Sequence, residues 1–277
     1  MGDVVLVTGC RAGIGYETAL AFGRGGFTVY ATMRSPQPDE PLAEAVARET
    51  LPVVIDDLDV TDAGAAERVV ARILAETGRI DVLVNNAGLG YGGTVEEMPE
   101  ADARAVFETN FWGPFRLIRL VLPSMRATRG GVVLNVSSYG ARLPAAPTLA
   151  IYTASKHALS AMTDALRWEL ATTGVRAVAI EAGFFATGIY EHRSPVDAAS
   201  PYGTMATKVS AGIAAAINGG NEPAVLAEAI VAAARDEAAP TRLLVGEDAT
   251  AAWEAFNRLG FEDWETVTGR MFHLSGS

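Results

Sequence analysis

With 277 residues, 49% of them hydrophobic and 20% charged, the chain can bury a full core, which excludes disorder and a highly solvated repeat array. Its 22 basic against 33 acidic residues leave a formal charge of −11, which repels phosphate backbones and anionic lipid surfaces. Neither a nucleic-acid partner nor a basic membrane-surface role is therefore expected. The single cysteine, Cys10, excludes an intramolecular disulfide and a cysteine-based metal cage, and suits a reducing compartment.

The chain passes from Met1-Gly2-Asp3 directly into Val4-Val5-Leu6-Val7, without a basic leader or a small-residue cleavage site. Its most apolar long stretch, residues 111–122, is interrupted by Gly113, Pro114, Arg116 and Arg119, whereas a membrane span needs roughly 20 nearly uninterrupted apolar residues. A soluble, cytoplasmic protein with no membrane contact is expected.

Short apolar runs alternate with longer helical patterns, the signature of repeated βαβ units and a parallel sheet. Strands are predicted at Val4–Thr8, Thr28–Thr32, Pro52–Ile55, Val82–Asn85, Gly131–Val136, Arg176–Glu181 and Arg242–Val245. Several are continuously apolar, as strands covered on both faces should be. Helices are predicted between them at Ile14–Gly25, Pro41–Arg48, Ala63–Thr77, Ala101–Met125, Leu149–Thr173 and Pro223–Glu237. Thr61 and Asp62 open the third in N-cap style, and Gly174 closes the long Leu149 helix in C-cap style. No composition break divides residues 1–277 into two domains.

Two stretches leave the alternation. Residues 184–222 are rich in Pro, Gly, Ser and Ala and carry several aromatics; the length predicts a helical lid or binding loop. The C-terminal extension, residues 247–277, carries Trp253, Phe256, Phe261, Trp264 and Phe272. Those rings are expected to dock on the body or a neighbouring subunit rather than on a ligand.

The first strand runs into Thr8-Gly9-Cys10-Arg11-Ala12-Gly13-Ile14-Gly15 and then a helix. Glycines at such a turn let backbone approach a pyrophosphate, while the helix N-terminus offers unpaired N–H groups and partial positive charge. Where a ribose-binding acid would follow, about 20 residues on, the second strand reads Ala31-Thr32-Met33-Arg34. Replacing an acid by Met33 and Arg34 removes repulsion of a 2′-phosphate and adds a cation. Arg11 could supply the other jaw of a phosphate clamp. NADP(H) is thus expected over NAD(H), which stays possible; both arginines could instead be solvated surface charges.

Tyr152-Thr153-Ala154-Ser155-Lys156 places Tyr152 and Lys156 on one face of a helix. Three further motifs follow the same order along the chain: Asn85-Asn86-Ala87-Gly88 closing the fourth strand, Asn110 in a mid-chain helix, and Asn135-Val136-Ser137-Ser138 closing the fifth. Over residues 4–246 the sequence resembles the classical short-chain dehydrogenases/reductases. Its Thr8-to-Gly15 turn with Val29-Tyr30-Ala31-Thr32-Met33-Arg34 is similar to the NADP-preferring hydroxysteroid and retinol dehydrogenase branch.

That resemblance implies a single-domain α/β Rossmann fold, a doubly wound, mostly seven-stranded parallel sheet with helices on both faces. It implies Tyr152 as general acid/base, Lys156 as its activator and ribose anchor, Ser138 as the donor polarising the carbonyl, and Asn110 holding a water in a proton relay. Ser138 rather than Ser137 is assigned by assuming one extra residue before Tyr152; Ser137 is then a structural hydroxyl. The chemistry also stands on elementary grounds. Hydride transfer to a ketone builds negative charge on oxygen, which needs a proton donor and a fixed hydrogen bond. A cation about 4 Å away at an effective dielectric near 20 contributes about 4 kcal/mol, enough to move a phenol's ionisation by roughly three pH units.

The resemblance further assigns cofactor contacts to Gly9, Arg11, Gly13, Ile14, Gly15 and Arg34, with Asp59 and Val60 at the adenine, Asp59 having the alternative of a loop acid beside Thr61. Asn86, Ala87 and Gly88 pack on the adenosine ribose, and Thr187 meets the nicotinamide amide. Gly183 keeps the backbone contact, although the family's Pro-Gly is Ala182-Gly183 here. A homodimer or homotetramer is implied through the long helices containing Asn110 and Tyr152. Around the nicotinamide face stand Leu89, Tyr91, Tyr139, Leu143, Leu149, Phe184, Phe185 and Tyr190, mainly apolar, so a lipophilic secondary alcohol or ketone is expected; Arg142 and Arg193 keep an anionic one open. Competing readings are a 3-oxoacyl-thioester or polyketide-type ketoreductase, docking through Arg126 and Arg129, and a non-enzymatic NADP(H) sensor. The three histidines, His157, His192 and His273, form no ligand-spaced cluster, so no metal is expected.

Overall fold

The computed structural model of the chain describes residues 2–189, 199–272 and 274. Seven parallel strands, β1 (Val4–Thr8), β2 (Thr28–Met33), β3 (Val53–Asp57), β4 (Val82–Asn85), β5 (Val132–Ser138), β6 (Arg176–Ala182) and β7 (Arg242–Val245), form one sheet in the order β3-β2-β1-β4-β5-β6-β7. Helices α1 (Gly13–Arg24), α2 (Pro41–Glu49) and α3 (Ala63–Thr77) connect the first four strands. Helices α4 (Glu100–Phe107), α5 (Gly113–Ala127) and α6 (Ala150–Leu170) serve the middle of the chain, and α7 (Gly203–Asn218), α8 (Pro223–Arg235) and α9 (Glu247–Met271) the last third. The chain builds outward from β1 to β3, then returns to place β4 on the other side of β1. That reversal opens a crevice at the carboxyl ends of β1 and β4.

The unbroken apolar runs follow from burial on two faces. Val5 and Val7 of β1 face one core with Leu20 and Phe22 of α1 and Leu226 and Ile230 of α8. Val4 and Leu6 face the other with Ile73 of α3, Leu117 and Met125 of α5 and Leu166 of α6. Asp62 caps α3, its carboxylate accepting the Ala65 N–H at 3.1 Å. Among the described residues no helix is long and apolar enough to cross a membrane.

Several boundaries differ from the sequence reading. β3, β5 and β6 run past their apolar stretches because parallel pairing continues through polar residues: Met33 pairs with Asp57, Ser137 with Glu181 and Ser138 with Ala182. The helix expected over 101–125 is interrupted by a π turn at Glu108–Trp112. Pro114 lacks the N–H that would bond the Asn110 carbonyl in an α ladder, and the Asn110 side chain is pinned elsewhere. The segment after Phe184 contains α7, and its two ends are tied where Asn221 N donates to the Phe184 carbonyl at 2.9 Å and Ala186 N to that of Asn221 at 3.0 Å. Helix α9 is bent at Gly260, φ 76°.

Candidate active site

β1 ends at Thr8, and Gly9 turns the chain with φ 75°, a left-handed backbone that favours glycine. A Cβ on Gly15 would stand 2.2 Å from the Gly9 carbonyl oxygen, so α1 starts closer to the strand end than any side chain would permit. Asn86 secures the turn from the end of β4: its Nδ2 donates to the carbonyls of Thr8 and Gly9 at 2.8 and 3.2 Å. In return, Thr8 Oγ1 accepts the N–H groups of Asn86 and Ala87, each at 3.0 Å.

A groove of about 460 Å³ follows this turn. Gly9, Arg11, Gly13, Ile14 and Gly15 form one wall and Arg34, after the buried Met33, its far end. Asp59, Val60, Asn86, Ala87, Gly88 and Thr187 complete it. The Arg11 guanidinium spans to the loop after β2, where it pairs with the buried Glu40 carboxylate and donates to the Arg34 and Ser35 carbonyls. Arg34 is exposed beside it. The Asp59 carboxylate accepts Thr61 N at 2.9 Å and Thr61 Oγ1 at 2.7 Å; the residue lines the groove while its charge closes the turn ahead of α3. A glycine cradle at a helix N-terminus, with the exposed Arg34 after β2 and Arg11 held beside it by Glu40, fits a dinucleotide.

Beyond the groove lies a cavity of about 140 Å³, and Ile14, Asn86, Thr187 and Ile189 line both. Ser138, Tyr152, Lys156 and Gly183 converge on it. Tyr152 and Lys156 share one face of α6, with Nζ 5.9 Å from the ring centroid. Lys156 is only 3% exposed and its Nζ donates to the Val136 carbonyl at 2.8 Å. Burial lowers this ammonium to about 8, because charge is disfavoured away from water. The Ser138 hydroxyl accepts the Gly140 N–H at 3.2 Å, which leaves its own proton to donate. Ser137 is engaged behind the site, its hydroxyl donating to the Lys156 carbonyl at 3.2 Å and sharing a 2.8 Å contact with Ser160 Oγ.

Asn110 is fully buried in the π turn. Its Oδ1 accepts Leu89 N at 2.7 Å, and its Nδ2 donates to the Leu89 carbonyl and to Ser155 Oγ, each at 3.0 Å. The side chain thus ties the segment after β4 to α6. Of the residues expected around a substrate, Tyr139, Leu143, Leu149, Phe184 and Phe185 line the cavity. Leu89 lines the groove instead, and Tyr91 lines neither space, its hydroxyl donating to Asp102 Oδ2 at 2.6 Å. Tyr190, His192, Arg193 and His273 lie outside the described residues. Arg142 is absent from the wall, held by Glu181 and the Trp253 ring.

The C-terminal rings dock on the body, Phe272 with Leu149, Val209 and Ile213 and Trp253 against Arg142. Trp264 and Phe272 of the extension are buried and line the cavity, with Thr268 and Met271, opposite Ile217 of α7. Their aromatic character is visible in the sequence; the bend at Gly260 that turns them inward is not. Among the described residues no group of three or more His, Cys, Asp or Glu could hold a metal.

Redox chemistry at an alcohol or carbonyl, served by a bound nicotinamide dinucleotide, is the class of activity these adjoining spaces define. The chain belongs to the short-chain dehydrogenase family, whose model matches residues 3–197. A 3-ketodihydrosphingosine reductase of Bacteroides thetaiotaomicron is 34% identical over 192 residues, 69% of this chain and 67% of the relative. A short-chain dehydrogenase from Streptomyces avermitilis has the same fold at a TM-score of 0.82 and 34% identity, covering 96% of this chain and 97% of that one. Actinorhodin polyketide ketoreductase, solved with NADPH, is similar at a TM-score of 0.75 and 30% identity, over 88% and 96% of the two chains. The protein is a nicotinamide-dependent dehydrogenase/reductase acting on CH–OH or carbonyl groups.

The lowered Lys156 ammonium has a measurable linkage. The folded group loses its proton near pH 8, whereas the unfolded one keeps it to about 10.4. The unfolded state therefore binds more protons between these values, and stability rises with pH there. Chemical denaturation of the cofactor-free protein should show wild type gaining up to about 3 kcal/mol on Lys156→Met between pH 8 and 10.5; parallel pH curves would contradict it.

Proposed function

We propose that the protein interconverts a ketone and a secondary alcohol on a lipophilic small molecule, with NADP(H) as the preferred cofactor. One observation carries the reading: Ser138, Tyr152 and Lys156 meet in an apolar-walled cavity that opens directly onto the glycine-turn groove. When bound, the nicotinamide supplies hydride to the carbonyl carbon or accepts it from the alcohol carbon.

The chain's own residues do the rest. Gly9, Gly13 and Gly15 bring backbone and the α1 N-terminus to the pyrophosphate. Arg34 and Arg11 take the 2′-phosphate, Asp59 and Val60 flank the adenine, and Asn86, Ala87 and Gly88 pack on its ribose. Gly183 and Thr187 hold the nicotinamide end. The Ser138 hydroxyl donates to the substrate oxygen, and Tyr152 delivers or removes the proton on that oxygen. Lys156 keeps a positive charge beside the phenol, which favours the anion left after proton delivery. Asn110 serves a water-borne proton relay: its Oδ1 and Lys156 Nζ each stand 3.6 Å from the point where a Cβ on Gly88 would lie.

Leu149, Phe184, Phe185, Trp264 and Phe272 supply apolar cover away from the reacting end, and Arg142 is neutralised by Glu181. Both features favour an uncharged, lipophilic substrate over an anionic one. The names of the reductase from Bacteroides thetaiotaomicron and of the polyketide ketoreductase both denote reduction of a keto group. The second likeness also favours, as an alternative, a polyketide-type or 3-oxoacyl substrate. Exposed Trp112 and Trp168, next to α5 and on α6, support a homodimer or homotetramer, and the unpaired, buried Cys10 suits the cytoplasm.

A screen of hydrophobic ketones, free and as acyl thioesters, followed by NADPH and NADH oxidation, tests substrate class; turnover of small polar sugars alone would contradict it. Tyr152→Phe should lower kcat by at least about 10²-fold while NADPH binding by fluorescence changes less than about threefold. Arg34→Asp should lower the NADPH-to-NADH ratio of kcat/KM at least tenfold, about 1.4 kcal/mol; an unchanged ratio removes Arg34 from the phosphate site.

A further inference from the structure

Glu181 is an acid inside the apolar strand β6 and is fully buried. Its carboxylate has contacts on both sides. On one, Oε2 pairs with Arg142 Nε at the end of the turn Tyr139–Arg142, which directly follows Ser138. On the other, Oε1 accepts Arg242 Nη1 at 3.0 Å and Ser160 Oγ at 3.3 Å. Ser160 Oγ meets Ser137 Oγ at 2.8 Å, and Ser137 Oγ donates to the carbonyl of Lys156. One arm therefore reaches the turn that follows Ser138, and the other the backbone carbonyl of Lys156. Arg142 Nη2 also donates to the Arg242 carbonyl at 3.2 Å, and its guanidinium lies 5.0 Å from the Trp253 ring centroid on α9.

The charges balance: Glu181 and Asp164 face Arg142 and Arg242, with Asp164 Oδ2 at 2.6 Å from Arg242 Nη2. Such a buried group contributes little net stability, because the cost of desolvating the ions offsets most of their attraction. Its geometric effect is larger. The Ser138 hydroxyl accepts the Gly140 N–H of the same turn, and Arg142 ties the end of that turn to the fully buried Glu181 carboxylate.

We propose that Glu181 is a positioning residue: through Arg142 it fixes the Ser138 turn, and through Ser160 and Ser137 it fixes the first turns of α6 that carry Lys156. This rests on the roles given to Ser138 and Lys156 above. Removing the anchor lets the Ser138 hydroxyl leave the direction in which it would meet a substrate oxygen, so the step it assists slows while the groove, built from other elements, keeps its affinity for NADPH.

The test compares Glu181→Gln, Arg142→Met and Arg142→Lys with wild type in kcat and KM for a turned-over ketone, in NADPH binding by fluorescence, and in thermal midpoint. Glu181→Gln and Arg142→Met should each lower kcat of the folded enzyme about 10- to 100-fold, with NADPH affinity changed less than threefold. Arg142→Lys, which keeps the charge, should recover at least threefold over Arg142→Met. If Glu181→Gln does not fold, the two Arg142 variants, at a partly exposed side chain, decide alone. Lower midpoints with unchanged kcat would make the group purely structural and overturn the inference. An active Tyr152→Phe enzyme would instead overturn the reading of the site, so the two failures are told apart.

Discussion

A lysine ammonium taken out of water is the constraint around which this site is arranged. Lys156 reaches from α6 across to the Val136 carbonyl of β5, and one hydrogen bond replaces only part of its lost hydration, which is why its charge is held less firmly than in solution. The location is set by the sheet. β5 ends at Ser138 and α6 begins at Ala150, joined by the eleven residues 139–149, and the i, i+4 spacing then carries Tyr152 into the same space. Among the described residues no carboxylate forms an ion pair with Lys156, and the buried Glu181 is taken by Arg142 and Arg242.

The second organising feature is the crossover between β1 and β4. It leaves the strand ends of Thr8 and Asn85 side by side with nothing above them, and Asn86 stitches the resulting turn together. The groove and the adjoining cavity both follow from this topological reversal, and Ile14, Asn86, Thr187 and Ile189 line both. Family matching ends near residue 197, whereas Ile217 and the α9 residues that close the cavity lie beyond it.

How much of this was legible in the sequence follows the range of the interactions. The glycine turn, Tyr152 with Lys156, and the strand cores are set by neighbours within a few residues, and local spacing carries them. Ser138 could be told from Ser137 only by an assumed insertion; in three dimensions the two hydroxyls part because one is taken by Lys156 and Ser160. The π turn at Asn110 had its cause in plain sight at Pro114, yet the apolar periodicity on either side reads as one helix. Tyr91 looked like a cavity residue by proximity to Leu89, but Asp102 on α4 draws it away. Phe272 follows the bend at Gly260 and packs on Val209 and Ile213 of α7, and Trp264 packs on Phe256; no local pattern encodes that bend.

The claim on which the mechanism depends concerns one proton. The chain has two lysines, Lys156 and Lys208, so selective side-chain nitrogen labelling gives an NMR spectrum that a Lys156→Met control assigns outright. Titration of the cofactor-free protein should show the Lys156 signal losing its proton with a midpoint near pH 8. A Lys156 midpoint above pH 10 would mean that the ammonium is solvated, and the account of the site would be contradicted at its root.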